Sequence, residues 1–344
     1  MGRRFAHVGQ HLQRTGDDAQ RHRRRRLEPP DGGQRLRPNW RDLRYRPDDI
    51  VLTVDRTSGS DKPDLYVQVP AYRDLELVPT LRDLYAQAAQ PSRLRVRVMW
   101  QRAEDEVLPD DVLSLPRLEV DRVPAATSEG CNWARQRLQK AWEGERYTLL
   151  LDSHHRFVAG WDDLALRMLE QLRAAGTLKP MLTGYLPAYS PRSDLFRSTR
   201  PQRLYPFARD EGVLTRLKGA VIRDSEMLTE PVPADFASLH FLLADGCFND
   251  EVQFDPTVYF FGDEVLTTVR AFAAMYRLFH PYRVIGWHAY DRNSRVTHWA
   301  DHTGHAERHA RSLTALRHWF RGERDISSAE VSAFEAHVNL CLVV

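Results

Sequence analysis

The chain has 344 residues, 42% of them hydrophobic and 28% charged, with a formal net charge of +2; this is ordinary globular composition, with enough chain for one main domain and an appendage. Residues 1–60 hold 14 arginines against 8 acidic residues, so the basic character belongs to the N-terminal segment and says nothing about the partner of the rest. Three scattered cysteines, Cys131, Cys247 and Cys341, argue against a disulfide framework or a cysteine metal cluster, and no apolar run is long enough to span a bilayer or act as a secretory signal, so a soluble, cytoplasmic protein is expected.

Residues 1–62 are expected to be poorly ordered. Arg23-Arg24-Arg25-Arg26, Pro29-Pro30 and Gly32-Gly33 offer little apolar surface to bury. The arginine run has no interleaved aromatics, so it reads as a solvated tail in preference to a nucleic-acid-binding arm, and no nucleic-acid or membrane partner is expected. A short strand is expected over Ile50 to Val54. Organised structure starts near Asp64, with a short β-rich run at Leu65, Tyr66, Val67 and Val69. Leu77, Leu81, Leu84, Tyr85 and Ala88 share one helical face. Leu94, Val96, Val98 and Trp100 alternate with Arg95 and Arg97 as a second strand. A helix over 131–142, with Ser128 as a candidate cap, precedes the apolar strand Tyr147 to Leu151. A helix over 161–174 and a strand over 180–185 follow. Strands alternating with helices predict an α/β fold: a mostly parallel sheet with helices on both faces.

Residues 186–235 are rich in Pro, Arg, Ser and Asp and read as a long irregular region, a candidate loop over the active site. Order returns at Leu239 to Phe248, with a helix at 264–278 and a strand at 282–288. The last forty residues show one helix, carried by Ala310, Leu313, Leu316 and Phe320. The domain reading is thus a basic segment over 1–62, a main domain over 63–300 and a helical extension over 301–344.

In open parallel sheets, ligands sit at the carboxyl ends of the strands. Asp152-Ser153-His154 lies just past such an end. Residues two apart on an extended segment project to one side, so the carboxylate and the imidazole can share a divalent cation. Such a cation stabilises the charge on a departing nucleoside diphosphate. A strand-end Asp is also often a helix cap, and an exposed His is often only a surface residue. His155 is a competing ligand, but it points the other way on an extended segment.

The stretch Leu151-Asp152-Ser153-His154-His155-Arg156-Phe157-Val158-Ala159-Gly160-Trp161-Asp162 resembles the glucosaminyltransferases that modify hydroxyproline on the ubiquitin-ligase adaptor Skp1. Further blocks are similar in the same order: Ala71-Tyr72-Arg73-Asp74 with Leu77-Val78-Pro79-Thr80-Leu81, Gly130 to Arg135, Lys179 to Tyr185, Phe254-Asp255-Pro256, Tyr259 to Glu264, and His288-Ala289-Tyr290-Asp291-Arg292. The resemblance implies a GT-A-like fold with one nucleotide-sugar-binding domain, a UDP-sugar donor, a divalent metal, usually manganese, and retention of anomeric configuration. By that analogy Asp152, His154 and His288 bind the metal. Tyr72, Arg73 and Asp74 meet uracil and ribose, Arg135 reaches the diphosphate, and Ser153 lies at the same nucleotide site. Gly262 allows close backbone approach to a ligand. Asp263 and Glu264 follow it as candidate catalytic residues that hold sugar hydroxyls or orient the acceptor; acidic residues also suit a helix N-terminus.

The chain departs from the family pattern at Val67-Gln68-Val69-Pro70 and at Met275-Tyr276-Arg277, and it matches poorly over 186–235. The expected activity is transfer of a sugar, N-acetylglucosamine foremost, from a UDP-sugar to a hydroxyl on a protein, peptide or glycan. The alternatives are a metal-dependent hydrolase and a non-catalytic sugar-nucleotide-binding protein.

Overall fold

The structure is a computed structural model that describes the backbone of Arg25–Arg26 and residues 63–192, 197–292 and 295–344. Within the tail expected to be poorly ordered, Arg25–Arg26 form a two-residue strand antiparallel to Ala208 and Arg209; the rest of that tail, with the expected strand over Ile50 to Val54, falls outside these residues. From residue 63 onward the strands are, in chain order, β1 (Leu65–Tyr72), β2 (Leu94–Arg102), β3 (Leu118–Pro124), β4 (Tyr147–Leu151), β5 (His155–Phe157), β6 (Pro180–Thr183), β7 (Gln202–Asp210), β8 (Leu214–Val221), β9 (Val232–Pro233), β10 (Phe241–Asp245), β11 (Arg277–His280) and β12 (Gly286–His288). The longer helices are α1 (Leu77–Ala86), α2 (Cys131–Gln139), α3 (Trp161–Ala174), α4 (Asp263–Ala273), α5 (His305–Phe320) and α6 (Ser328–Val338).

Eight strands form one sheet in the order β9-β11-β6-β10-β4-β1-β2-β3. β1 is parallel to β2 and β4, β2 to β3, and β6 to β11. β10 runs antiparallel to both β4 and β6. The sheet is therefore mostly parallel, as the alternation of strands and helices predicts. Successive residues of a strand face opposite sides, and here both sides are covered. Leu149, Leu151, Leu182 and Leu243 join one core with α1 and α3 residues such as Leu81, Leu84, Trp161 and Leu169. Leu150, Met181, Leu242 and Ala244 join another with Phe248, Ala271 and Tyr276. A strand buried on both faces must be apolar throughout, which is why 149–151 is a continuous leucine run. β1 continues through Pro70, which lies beyond Gln68, the last residue paired with β4.

Several element boundaries differ from expectation. Residues 186–235 are not irregular throughout: β7 and β8 form an antiparallel hairpin with a bulge between Pro206 and Ala208. Glu211 and Gly212 take positive φ at its turn. α4 ends at Ala273 because Met275 adopts a left-handed φ of 69°, and the chain then forms β11. The strand expected over 282–288 shortens to β12, which pairs with β5 in a separate two-stranded ribbon. α2 is capped by Gly130, whereas the Ser128 hydroxyl donates to Gln101. The C-terminal residues form two helices longer than ten residues, not one. α6 opens with a capping box in which Ser327 and Glu330 satisfy each other's backbone amides. Leu313, Leu316, Trp319, Phe320, Val331 and Phe334 from α5 and α6 share a core with Leu214 of the hairpin and Val265, Leu266 and Val269 of α4. Among the described residues no helix is long and apolar enough to cross a membrane.

Candidate metal and nucleotide-sugar site

The parallel strands β1, β4 and β6 end at one edge of the sheet, and their next residues are Arg73-Asp74, Asp152-Ser153 and Gly184-Tyr185. β10 runs the other way, so its first residues lie at the same edge, and His240 joins the group. The ribbon adds the last component. Its register places His155 opposite His288, and the Ala289 amide donates to the His154 carbonyl at 3.0 Å. Residues far apart in sequence thereby become neighbours.

Asp152, His154 and His288 each offer a ligand atom, and these atoms lie within 4.8 Å of one another. Asp152 Oδ2 is 3.6 Å from His154 Nε2 and 3.3 Å from His288 Nε2. His154 Nδ1 lies 2.7 Å from Asp74 Oδ2, which sets Nδ1 as the protonated nitrogen and leaves the Nε2 lone pair bare. That Nε2 is buried and has no hydrogen-bond partner. A bare imidazole nitrogen facing a carboxylate is an acceptor facing an acceptor, and a cation between them satisfies both. The donor set of one carboxylate and two imidazoles therefore fits a divalent transition-metal ion. Burial pushes the Asp152 carboxyl pKa up, but His288, His154 and Arg135 hold it well below the usual range. Burial and the neighbouring histidine His154 leave His288 neutral at physiological pH, despite its bond to Asp152; neutral imidazole is the ligating form.

The other buried histidines of this cluster turn no bare nitrogen into the cavity, although His155 Nε2 is also buried without a hydrogen-bond partner. His240 accepts from the Leu186 amide at Nε2 and meets Ser238 Oγ at Nδ1, so both ring nitrogens are used. Its ring stacks on His288 at 4.1 Å. His155 turns its Nδ1 to the Asp152 carbonyl and does not line the cavity, in keeping with the opposite direction expected for it.

Arg135, on α2, is buried and donates to Asp263 Oδ2 at 2.7 Å and to Asp152 Oδ1 at 3.4 Å. It thus links Asp152 to the N-terminus of α4. Asp263 and Glu264 occupy the first turn of that helix. Glu264 accepts from Tyr185 Oη at 2.9 Å and from the Leu239 amide at 3.2 Å. Burial first, and Asp263 second, raise its pKa to about 7. Gly262 has a φ of 91°. A Cβ there would stand 2.4 Å from Leu316 and 3.0 Å from Leu214, so the glycine permits a close approach to α5 and the hairpin while also lining the cavity.

Tyr72 Oη and Arg73 Nη1 each donate to Asp301 Oδ2 at 2.7 Å. Arg73 is held further by Glu106 at 3.5 Å and does not line the cavity, whereas Tyr72, Asp74 and Ser153 do. The one-turn helix His298–Asp301 folds back over this end of β1, and His298 Nε2 meets Ser128 Oγ at 2.9 Å. The cavity measures about 630 Å³. Its wall opposite the sheet edge is built from Phe207, Thr215, Arg216 and Leu217 of the hairpin together with Phe260, Phe261 and Trp299. The sequence reading missed Tyr185, His240, His298 and this hairpin wall. A reversed strand preceding α4 would have flagged His240; nothing local flags the others.

The family model described as Glycosyltransferase (GlcNAc) matches residues 64–116 and 109–337. No curated protein matches the chain. Among solved structures, S. aureus TarS 1-349 is similar at a TM-score of 0.50 and 14% identity, over 80% of this chain and 70% of that one. The same fragment in complex with UDP-GlcNAc matches at a TM-score of 0.50 and 14% identity, over 80% of this chain and 71% of that one. GalNAc-T7 with UDP, GalNAc and Mn2+ matches at a TM-score of 0.54 and 13% identity, over 81% of this chain and 55% of that one. These likenesses are likenesses of fold: the mixed α/β sheet is that of GT-A glycosyltransferases.

Proposed function

This chain belongs to the glycosyltransferase (GlcNAc) family, and we propose that it moves N-acetylglucosamine from a UDP-sugar to a hydroxyl of a protein, peptide or glycan acceptor, with a divalent ion, manganese, on Asp152, His154 and His288. The observation that carries this reading is the buried, unpartnered His154 Nε2 facing the Asp152 carboxylate inside the cavity. TarS crystallised with UDP-GlcNAc and GalNAc-T7 with UDP and Mn2+ support the choice of ligands.

When bound, the ion neutralises charge on the oxygens of a leaving diphosphate. The chain's own groups do the remainder. Arg135 is a buried cation held beside Asp152 by Asp263, placed to donate a charge-assisted hydrogen bond to a phosphate oxygen. Asp263 holds Arg135 in place. Glu264, already accepting from Tyr185 and Leu239, offers its remaining lone pairs to sugar hydroxyls. Tyr72, anchored through Asp301, lines the nucleoside end. The hairpin wall and Phe261 shield the opposite side from water. Retention of configuration is carried over from the resemblance to the hydroxyproline-modifying enzymes. Their acceptor is not carried over, because the hairpin wall lies outside the blocks that resemble them.

The reading is tested by screening UDP-sugars for manganese-dependent thermal stabilisation, which needs no knowledge of the acceptor. We expect UDP-N-acetylglucosamine to stabilise the chain only with manganese, and Asp152→Ala to abolish the shift. Equal UDP affinity in excess EDTA overturns the reading. Release of free sugar at one rate with and without acceptor replaces transfer by hydrolysis.

A further inference from the structure

We propose that Asp74 is the positioning residue of the metal site: its buried carboxylate locks His154 as the Nδ1–H tautomer and aims the bare Nε2 at the ion. The inference rests on the metal reading above but concerns a residue whose expected place was at the uracil and ribose.

The Asp74 side chain is 2% exposed. Oδ1 accepts from the Glu76 amide at 2.9 Å, and Oδ2 accepts from Ser153 Oγ and His154 Nδ1, each at 2.7 Å. Three of its roughly four lone-pair directions are therefore taken from within the chain. A carboxylate that reads ribose hydroxyls needs those directions open to the cavity. Among the described residues no arginine or lysine pairs with Asp74, so its carboxylate is held by these three hydrogen bonds, one of them from the imidazole. The backbone fixes the residue on two sides. The Leu77 amide bonds its carbonyl at 3.2 Å, and an isolated antiparallel bridge ties it to Arg295.

The same geometry explains Ser153. It is buried, and its hydroxyl is spent on Asp74 Oδ2, steadying the oxygen that holds His154. A histidine ligand whose second nitrogen donates to a carboxylate is oriented and made more basic, and loss of such a partner typically lowers metal affinity ten- to a hundredfold. An amide in its place can turn its NH2 toward Nδ1, which moves the imidazole proton to Nε2 and blocks the ligating lone pair.

The test uses the full chain, its Asp74→Asn variant and Mn2+ alone. Ring-nitrogen NMR of the apoprotein in EDTA, with His154 assigned by its loss in His154→Gln, is expected to show Nδ1–H in the wild type and a shift toward Nε2–H in the variant. Mn2+ affinity without nucleotide, read from the EPR signal of free Mn2+, is expected to fall roughly ten- to a hundredfold. UDP affinity at saturating Mn2+ is expected to stay near that of the wild type. A wild-type His154 protonated at Nε2 overturns the proposal with no variant needed. Wild-type Mn2+ affinity in Asp74→Asn, coupled with weakened UDP binding, overturns it in favour of a nucleoside contact. If the wild type binds no Mn2+, the metal reading fails by itself, and the tautomer measurement still decides the role of Asp74.

Discussion

The two walls of the cavity are built by different rules. At the sheet edge, strand direction alone delivers Asp74, Asp152, Tyr185 and His240 to one line, and hydrogen bonds made by their side chains fix them there. Across the cavity, Phe207, Arg216 and Phe261 hold station because the hairpin, α4 and the C-terminal helices share an apolar core. The first wall depends on particular atoms, so its substitutions disturb chemistry before stability. The second depends on packing volume, so its substitutions disturb stability before chemistry.

Removing residues 305–344 is the strongest test of that difference. It strips Leu313, Leu316, Trp319, Phe320, Val331 and Phe334 from the second core. We expect no cooperative thermal transition and an aggregated product on gel filtration; a soluble fragment with a sharp transition would show that the C-terminal helices are a dispensable extension. Gly262→Ala is a milder probe of the same wall. It forces a Cβ into left-handed backbone and against Leu316, at an expected cost of about 2–3 kcal/mol in urea denaturation. Leu316→Ala in the same background should relieve part of the clash, so the two losses should not add. Strict additivity would place the strain elsewhere.

Glu264 belongs to both walls, and its pH behaviour distinguishes them. Its pKa rises from 4.5 to about 7, through burial and then Asp263. The folded state therefore binds this proton more tightly than the unfolded chain does. Its contribution is fully present below about pH 4.5 and is lost as pH rises through about 7. In EDTA, Glu264→Gln should flatten the decline of stability across that window; an unchanged slope would contradict the buried, proton-holding carboxyl. Asp301→Asn should have the smallest effect. It weakens the anchor of Tyr72 and Arg73, but Asp301 is 27% exposed, and such partly solvated pairs contribute about 1 kcal/mol or less. A loss well above that in thermal unfolding would make the anchor part of the core.

Much of the first wall could be read from the sequence because its signals are local. Leu149 to Leu151 must be apolar on both faces, and Asp152 and His154 follow at once. The placement of His288 came from resemblance, and the ribbon supplies its physical cause. The partnership of Asp74 with His154 spans 80 residues and depends on which strands are neighbours, which no local pattern encodes. The reversed direction of β10, which brings in His240, is hidden for the same reason. The hairpin escaped because Arg203, Arg209, Arg216 and Lys218 obscure its alternation and the bulge after Pro206 shifts it. The second C-terminal helix did leave a local mark, the Ser327–Glu330 pair, although Val331 and Phe334 are its only buried residues.

The ribbon of β5 and β12 has a consequence for how the protein comes apart. Asp152 and His288 are 136 residues apart in sequence, and closing a loop of that length costs about 4 kcal/mol in its length-dependent entropy. The ion proposed at Asp152 and His288 would be a removable cross-link over that loop, absent from the unfolded chain. Chelation would then loosen the tether between the first half of the sheet and everything that follows β12, and the loaded protein should resist urea as a single unit for longer than the stripped one.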